Sequence, residues 1–266
     1  MTWAVLGGSG VLGGAVIAAA RAAGHDVVSA SRSAPQQAVR HVRADVTTGE
    51  GLAEAFAGVS VVLDATNAVV TPRDANNARD VLVGGTERVL AAAKAAGVAH
   101  FVGISIVGID TAPMPYYQIK VEQERVIEAS PVPWSLVRAT QFHDLIPRFV
   151  GGRLGVVAAP IGWSLQPVDV ADVAAVLVAA AAGAPAKRLP DVGGPEVLPI
   201  GALARAWKRA AGKTRLVIPV PVPGKLGRFL RSGAMCCPDR AVGAVTFAQW
   251  LATRYASPPP SPPMTS

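Results

Sequence analysis

Short runs of consecutive apolar residues alternate along this chain with longer segments whose apolar positions recur every three or four residues. WAVL (3–6) is apolar at successive positions, the pattern of a strand buried on both faces, and AVIAAARAAG (15–24) after it is rich in strong helix formers and stops at Gly24. The alternation then repeats. Strands are predicted at DVVSASR (26–32), VRHVRADV (39–46), VSVVLDAT (59–66), HFVGISIVG (100–108) and WSLVRAT (134–140). Helices are predicted at LAEAFAG (52–58), DVLVGGTERVLAAAKAAG (80–97) and YYQIKVEQERVIEAS (116–130), the last stopped by Pro131. Strand and helix in turn, at a spacing of roughly 25 residues, predict an α/β fold with a doubly wound parallel sheet and right-handed crossovers. From about residue 148 proline and glycine become denser, and short strands such as GVVAAP (155–160) and RLVIPV (215–220) alternate with helices such as IGALARAWKRAAG (200–212). The chain therefore divides into a core, 1–147, and a mixed segment, 148–256, that completes the core and forms a small C-terminal cap. SPPPSPPMTS (257–266) has no apolar periodicity and is predicted to be disordered.

The join between the first strand and the first helix is VLGGSGVLGG (5–14), half of it glycine. Glycine inside an element costs about 0.5 to 1 kcal/mol relative to alanine, so a backbone this bare implies that something approaches it closely. At a strand-to-helix turn the first N–H groups of the helix lack intrahelical acceptors, and with the positive end of the helix dipole they form an anion site. Gly7, Gly10 and Gly13 have the GxxGxxG spacing of a dinucleotide-binding turn, in which one glycine makes the bend, one admits a pyrophosphate and one lets helix pack on strand. The spacing alone also fits a tight turn with no ligand. Its place at the head of a strand–helix series favours the nucleotide reading, with Gly7, Ser9, Gly10, Val11, Leu12 and Gly13 forming the turn.

Composition narrows the setting. Hydrophobic residues make up 51% and charged ones 16%, but the longest apolar stretch, VDVADVAAVLVAAAAGA (168–184), contains Asp169 and Asp172 and is too short to span a bilayer. No basic segment precedes the first apolar run, so a signal peptide is not expected and the cytoplasm is the default. The two cysteines, Cys236 and Cys237, are adjacent, which suits neither a disulfide nor a metal cluster with the four scattered histidines, and no metal is expected. The net charge of +7 is concentrated: residues 200–240 hold nine Lys/Arg against one acid, a balance of +8. Such a region could favour an anionic substrate, a lipid surface or nucleic acid, or be a solvated basic face. No groove-reading motif accompanies it, so no specific nucleic-acid partner is expected. A small-molecule substrate and a monomer or homodimer are.

Two features at strand ends carry candidate chemistry. The second strand ends in SASRS, where an NAD-dependent dinucleotide fold would place a ribose-binding carboxylate; Arg32 stands there instead, and a guanidinium suits the 2′-phosphate of NADP. An ordinary surface arginine is the plainer alternative. NADP(H) is accordingly expected in preference to NAD(H). Four residues separate Tyr116 from Lys120 on a predicted helix, a spacing that stacks both side chains on one face. An ammonium beside a phenol favours the phenolate and would bring its pKa toward the working range of an acid–base catalyst. Ser105, at the end of the fifth strand, could add a hydrogen bond to a substrate carbonyl. Singly, each has a structural role open to it; together they form a candidate acid–base constellation. Tyr117, three before Lys120, lies on nearly the same face.

GGSGVLGG, DV (45–46), SIVGID, YYQIK, LVRATQFHD and QPVDVADVA together resemble the atypical short-chain dehydrogenase/reductase superfamily, near its NmrA-like NAD(P)H-binding branch, over all of the chain but the tail. The resemblance implies a Rossmann-like sheet. It implies that Asp45 and Val46 flank the adenine, that Ala65 and Thr66 line the adenosine ribose, that Lys120 also holds the nicotinamide ribose, and that Ala139, Thr140 and Phe142 line the nicotinamide end. Tyr116 would be the acid, Lys120 the pKa modulator and Ser105 the carbonyl ligand. One serine stands where the superfamily commonly has two. Many NmrA-like proteins lack the Tyr/Lys pair and act as redox sensors, whereas here the pair is intact. The expected activity is NADPH-dependent hydride transfer to a small carbonyl or quinone-like substrate with Tyr116 as proton donor; the alternative is an NADP(H)-sensing regulatory protein without turnover.

Overall fold

Seven strands form one parallel sheet in the computed structural model, which describes residues 1–68, 75–151, 156–214 and 216–256. They are β1 (Thr2–Leu6), β2 (Asp26–Ser31), β3 (Arg40–Arg43), β4 (Val61–Asp64), β5 (His100–Ile106), β6 (Trp134–Ala139) and β9 (Lys187–Arg188), in the order β3-β2-β1-β4-β5-β6-β9. The predicted doubly wound sheet is thus observed, with one strand more than the six expected. β9 is two residues long and pairs with Ser135 and Leu136. β3 is shorter than predicted because Asp45 turns the chain: its carboxylate accepts from the Thr47 backbone N–H (2.9 Å) and hydroxyl (2.7 Å). The predicted tail, 257–266, lies outside the described residues.

Strand alternation sorts the core into two layers. Trp3 and Val5 of β1, with Leu63, Val102 and Val137, face α1 (Val11–Ala22) and α7 (Val170–Ala182), where Val16, Ile17 and Ala20 meet Val173, Ala174 and Leu177. Ala4 and Leu6, with Val62, Phe101 and Leu136, face the other layer. That layer holds α2 (Leu52–Phe56), α4 (Gly85–Ala95) and α5 (Pro115–Glu128), contributing Phe56, Val89 and Ile127. Each fully buried side chain of this size contributes about 1.5 to 3 kcal/mol. α4 continues α3 (Ala75–Arg79) through a π turn at Asp80–Gly84, so the helix predicted to begin at residue 80 starts earlier. α7, the longest apolar stretch, is a core helix, and among the described residues no helix is long and apolar enough to cross a membrane.

The remaining elements surround a separate apolar cluster. α6 (Ile146–Val150) is followed by β7 (Val156–Pro160) and β8 (Ser164–Leu165); after α7 and β9 come β10 (Leu198–Pro199), α8 (Ile200–Ala210), β11 (Leu216–Val220), α9 (Gly224–Arg231) and α10 (Phe247–Arg254). β7 pairs with β11 in parallel, and β8 with β10 antiparallel. Ile146, Val157, Leu203, Trp207, Phe229 and Phe247 fill the cluster, and Ala112, Met114 and Tyr117, at and before the start of α5, join it. This unit therefore packs against the carboxyl-end side of the sheet through the segment that leads into α5.

Candidate active site

The glycine turn is as bare as its sequence implies, for backbone reasons. Gly7 is left-handed (φ +69°), and a Cβ there would lie 2.9 Å from the Ala65 carbonyl oxygen. A Cβ on Gly13 would lie 2.1 Å from the Gly7 carbonyl oxygen, so only glycine lets α1 close on the turn. Gly10 is less constrained, its Cβ meeting only the Gly7 oxygen at 3.2 Å. Gly8, which the spacing does not mark, has no room either: its Cβ would sit 2.2 Å from Ser29 Oγ. Gly10 caps α1 without any side-chain hydrogen bond, leaving the first N–H groups of the helix to a ligand or solvent. Ser9 is exposed, Val11 is 61% exposed at the helix mouth, and Leu12 is buried beneath it. Ala65 and Thr66 lie alongside because β1 and β4 are neighbours, with Leu6 paired to Asp64.

At the outer edge Arg32, exposed just past β2, lies near Asp45. The Thr47 hydroxyl and N–H hold the Asp45 carboxyl below the usual range, and the Arg32 and Arg43 guanidinium groups add to this. An acid does stand near Arg32, then, but it follows the third strand and not the second. Val46 wedges α4, a Cβ on Gly85 being only 2.9 Å from its Cγ2.

At the other end of the cleft α5 presents Tyr116 and Lys120. Lys120 is buried; its Nζ donates to the Ile104 carbonyl (3.0 Å) and to Gln123 Oε1 (2.5 Å). Burial lowers the ammonium to about 8, against the opposing pull of Asp64 and Glu124. Asp64, at the end of β4, is buried and its carboxyl is raised by that burial, while the Thr66 hydroxyl (2.6 Å) and N–H (2.9 Å) and the charge of Lys120 work in the other direction. The Tyr116 hydroxyl donates to Asn67 Oδ1 at 2.8 Å. One expectation is corrected here. The Tyr116 phenol is raised, because burial outweighs the Asn67 contact, and the charge of Lys120 is engaged with Asp64 and Glu124 instead. Tyr117 turns to the C-terminal cluster, and burial with the neighbouring Tyr116 pushes it up to about 12.

The Ser105 hydroxyl makes no hydrogen bond to Tyr116. Alternation along β5 puts it on the same face as Gly103, under α5, where Gly103 abuts Ile127; its buried hydroxyl lies by the Glu124 carboxylate outside normal hydrogen-bond geometry. Glu124 belongs to an ion network in which Arg138 of β6 bonds Glu124 (2.7 and 2.8 Å) and Asp110, and Arg188 of β9 bonds Glu124 (2.9 Å) and Glu128 (2.7 Å). At the end of β6, Ala139 and the following Thr140 are buried, and the Thr140 hydroxyl donates to the Gln166 carbonyl. Phe142 is half-buried against the α1/α7 layer and bridges to Val168. Sequence reasoning passed over Asp64, Asn67, Gln123 and Arg138. The one available signal was an acid, Asp64, ending an otherwise apolar strand. The turn, Ala65/Thr66, Tyr116 and Lys120 all meet at the carboxyl ends of β1, β4 and β5, where open α/β sheets bind ligands.

Residues 7–183 match a family described as NAD(P)H-binding. The chain belongs to this NAD(P)H-binding family. The matched region runs from the glycine turn through α7, so it contains the turn, Arg32, Asp45, Asp64 to Asn67, Tyr116, Lys120, Gln123, Glu124 and Arg138, and leaves out β1 and β9. A (4-alkanoyl-5-oxo-2,5-dihydrofuran-3-yl)methyl phosphate reductase of Streptomyces griseus is 35% identical over 153 residues, 55% of this chain and 50% of that protein. The chain thus spans about half the length of the curated relative it matches. Among solved structures, a short-chain dehydrogenase/reductase superfamily protein from Agrobacterium tumefaciens with bound NAD aligns at a TM-score of 0.73 and 20% identity, over 95% of this chain and 96% of that one. An NADPH-dependent quinone oxidoreductase from Escherichia coli complexed with NADPH aligns at 0.73 and 20%, over 95% and 99%. A UDP-glucose 4-epimerase from Thermotoga maritima aligns at 0.75 and 15%, over 94% and 96%. These establish that the NAD(P)H-binding chain has the short-chain dehydrogenase/reductase fold.

Proposed function

We propose that this protein is an NADPH-dependent reductase that transfers hydride to a small electrophilic carbonyl or quinone-like substrate, with Tyr116 as the proton donor. The observation that carries the reading is a buried Lys120, one turn after Tyr116 on α5 and near Asp64, at the same strand ends as a glycine turn whose Gly7 and Gly13 leave no room for a side chain. The reductase activity of the Streptomyces griseus relative and the NADPH-bound quinone oxidoreductase of like fold support it.

The residues present fit a dinucleotide. The uncapped start of α1 and the bare backbone at Gly7, Gly10 and Gly13 suit its pyrophosphate, and the two guanidinium groups of Arg32 and Arg43 around one Asp45 leave a net positive edge for a 2′-phosphate. When bound, the nicotinamide supplies a hydride to the electrophilic carbon. Lys120 places a positive charge that stabilises negative charge developing on the substrate oxygen. Tyr116 gives its proton to that oxygen, and Asn67 Oδ1 orients the hydroxyl beforehand. The unit built from α6, β7, β8, β10, α8, β11, α9 and α10 serves as a cap that bounds the substrate space through Tyr117 and Met114.

A sensor that binds NADP(H) without turnover is the second reading, and one observation favours it: the Tyr116 phenol is raised by burial, which makes it a weaker acid. NADPH oxidation across a panel of aldehydes, ketones and quinones separates the two. On a true substrate Tyr116→Phe should lower turnover by about 100-fold with NADPH affinity nearly intact. Equal turnover by the two proteins would remove Tyr116 as donor, and tight NADPH binding with no turnover across the panel would favour the sensor.

A further inference from the structure

Lys120 is held from behind by a buried relay that no reading of the Tyr/Lys spacing anticipates. Thr86, 1% exposed, gives its single hydroxyl proton to the Leu82 carbonyl at 2.7 Å, inside the π turn between α3 and α4. Its oxygen is then left only to accept, and it accepts from Gln123 Nε2 at 2.9 Å. That bond fixes the Gln123 amide with Oε1 turned toward Lys120. The far end agrees independently, since an ammonium offers only donors and must meet an oxygen. Gln123 is itself 4% exposed, one turn beyond Lys120 on α5, so no water competes for its oxygen. With Gln123 Oε1 and the Ile104 carbonyl taking two of the three N–H bonds, the third is the one left for the cleft.

We propose that Gln123, aligned by Thr86, is the positioning residue that aims the Lys120 ammonium and keeps it charged. The proposal rests on the reading that Lys120 serves the cofactor end, because only there does the direction of the third N–H matter. Other groups also act on Lys120: Asp64 from β4, and Glu124 from its own helix with Arg138 of β6 paired to that carboxylate.

The test follows the lysine directly. The chain has six lysines, so ¹³Cε-lysine labelling gives a small set of NMR signals, with Lys120 assigned by its loss in Lys120→Met. In the wild type the Lys120 signal should titrate near pH 8. Gln123→Leu removes an acceptor that favours the charged form and should move that titration down by about one pH unit; Gln123→Glu adds a carboxylate and should move it up. Thr86→Val, which frees the amide to rotate, should move it down by less and serves if Gln123→Leu does not fold. The alkaline loss of NADPH affinity should shift in step, and a merely structural role would change thermal stability with neither titration moving. A folded Gln123→Leu or Thr86→Val protein with Lys120 titrating as in the wild type overturns the proposal. A shifted Lys120 with NADPH affinity insensitive to it upholds the positioning role and overturns the placement of Lys120 at the cofactor.

Discussion

Arg138 in β6 and Arg228 in α9 carry the same guanidinium in opposite settings. Arg138 is 8% exposed and forks onto Glu124 and Asp110, while Arg228 lies exposed on a short helix that also shows Lys225 and Arg231 to solvent. A buried arginine has no water to fall back on, so its partners must be fixed and their fixing sets the position of α5, which bears Tyr116 and Lys120. An exposed one keeps its hydration and constrains little. The core thus spends its charge on geometry. Lys225 and Arg228 on α9 keep their charge in solvent.

The largest effect expected from breaking that contrast is at Arg138. Arg138→Met leaves the buried Glu124 with Arg188, 40% exposed at its side chain, as its remaining salt-bridge partner, and should cost about 3 to 5 kcal/mol in denaturant unfolding. The pH dependence gives a second readout. Burial would raise the Glu124 carboxyl, but hydrogen bonds from Arg138 and Arg188 outweigh it and the net shift is downward; Asp110 is lowered by its Arg138 bonds. A carboxyl lowered in the folded state contributes stability that is present above its unfolded pKa and lost as pH falls through the folded one. Wild-type stability should therefore fall as the pH drops below the ordinary carboxylate range, and Arg138→Met should flatten that fall. A variant as stable as the wild type at neutral pH, with the same acid limb, would show that the network does not hold α5.

The same contrast explains what could be read before the structure. The glycine turn was legible because its three glycines lie close together in sequence and a Cβ on Gly13 would meet the Gly7 carbonyl within seven residues; the crowding of Gly7 by Ala65, which comes from the end of β4, was not. The sheet was legible because parallel strands need apolar faces on both sides, as Trp3/Val5 and Ala4/Leu6 have. Glu124–Arg138 and Lys120–Gln123–Thr86 were not, since a charged or polar residue on a helix looks alike in sequence whether it meets water or a partner from another element. β9 escaped for a different reason: two charged residues, Lys187 and Arg188, make a strand only because β6 offers an edge. The face that Ser105 takes was not legible either, because a position at the end of a strand does not tell which side its hydroxyl turns to. The Tyr116 phenol was expected to be lowered, a view that counted the neighbouring charge and left out desolvation.

Arg32 sharpens the comparison, being an exposed arginine that belongs to the core. If the 2′-phosphate lies against it, exposure does not make it idle, and Arg32→Ala should weaken NADPH binding by about tenfold while leaving NADH nearly unchanged. The wild-type preference for NADPH should decline as salt rises, because the contact is open to solvent. Isothermal titration of both proteins with both cofactors measures this. Parallel losses for NADPH and NADH would mean that Arg32 stacks on the adenine without reading the phosphate, and a wild-type preference for NADH would remove the assignment.

The smallest effect on stability is expected in the cap, and it separates exposed charge that holds structure from exposed charge that does not. Lys225 and Arg228 project from α9 while Gly227, Phe229 and Leu230 hold the helix down through its buried face. Replacing both cations with glutamine removes two of the nine positive charges of residues 200–240 without touching that face. Unfolding free energy should change by less than about 0.5 kcal/mol, as for surface positions away from caps and pairs. A loss as large as that of Arg138→Met would mean that the cap cations are structural after all. Their electrostatic part shows elsewhere: if they draw an anionic substrate toward the cleft, the double variant should raise KM for a phosphate-bearing substrate by a few fold at low salt and leave KM for a neutral one alone, because a screened field acts on charge and on encounter more than on the chemical step. Equal KM values for charged and neutral substrates in both proteins would leave the basic cap with no part in substrate capture.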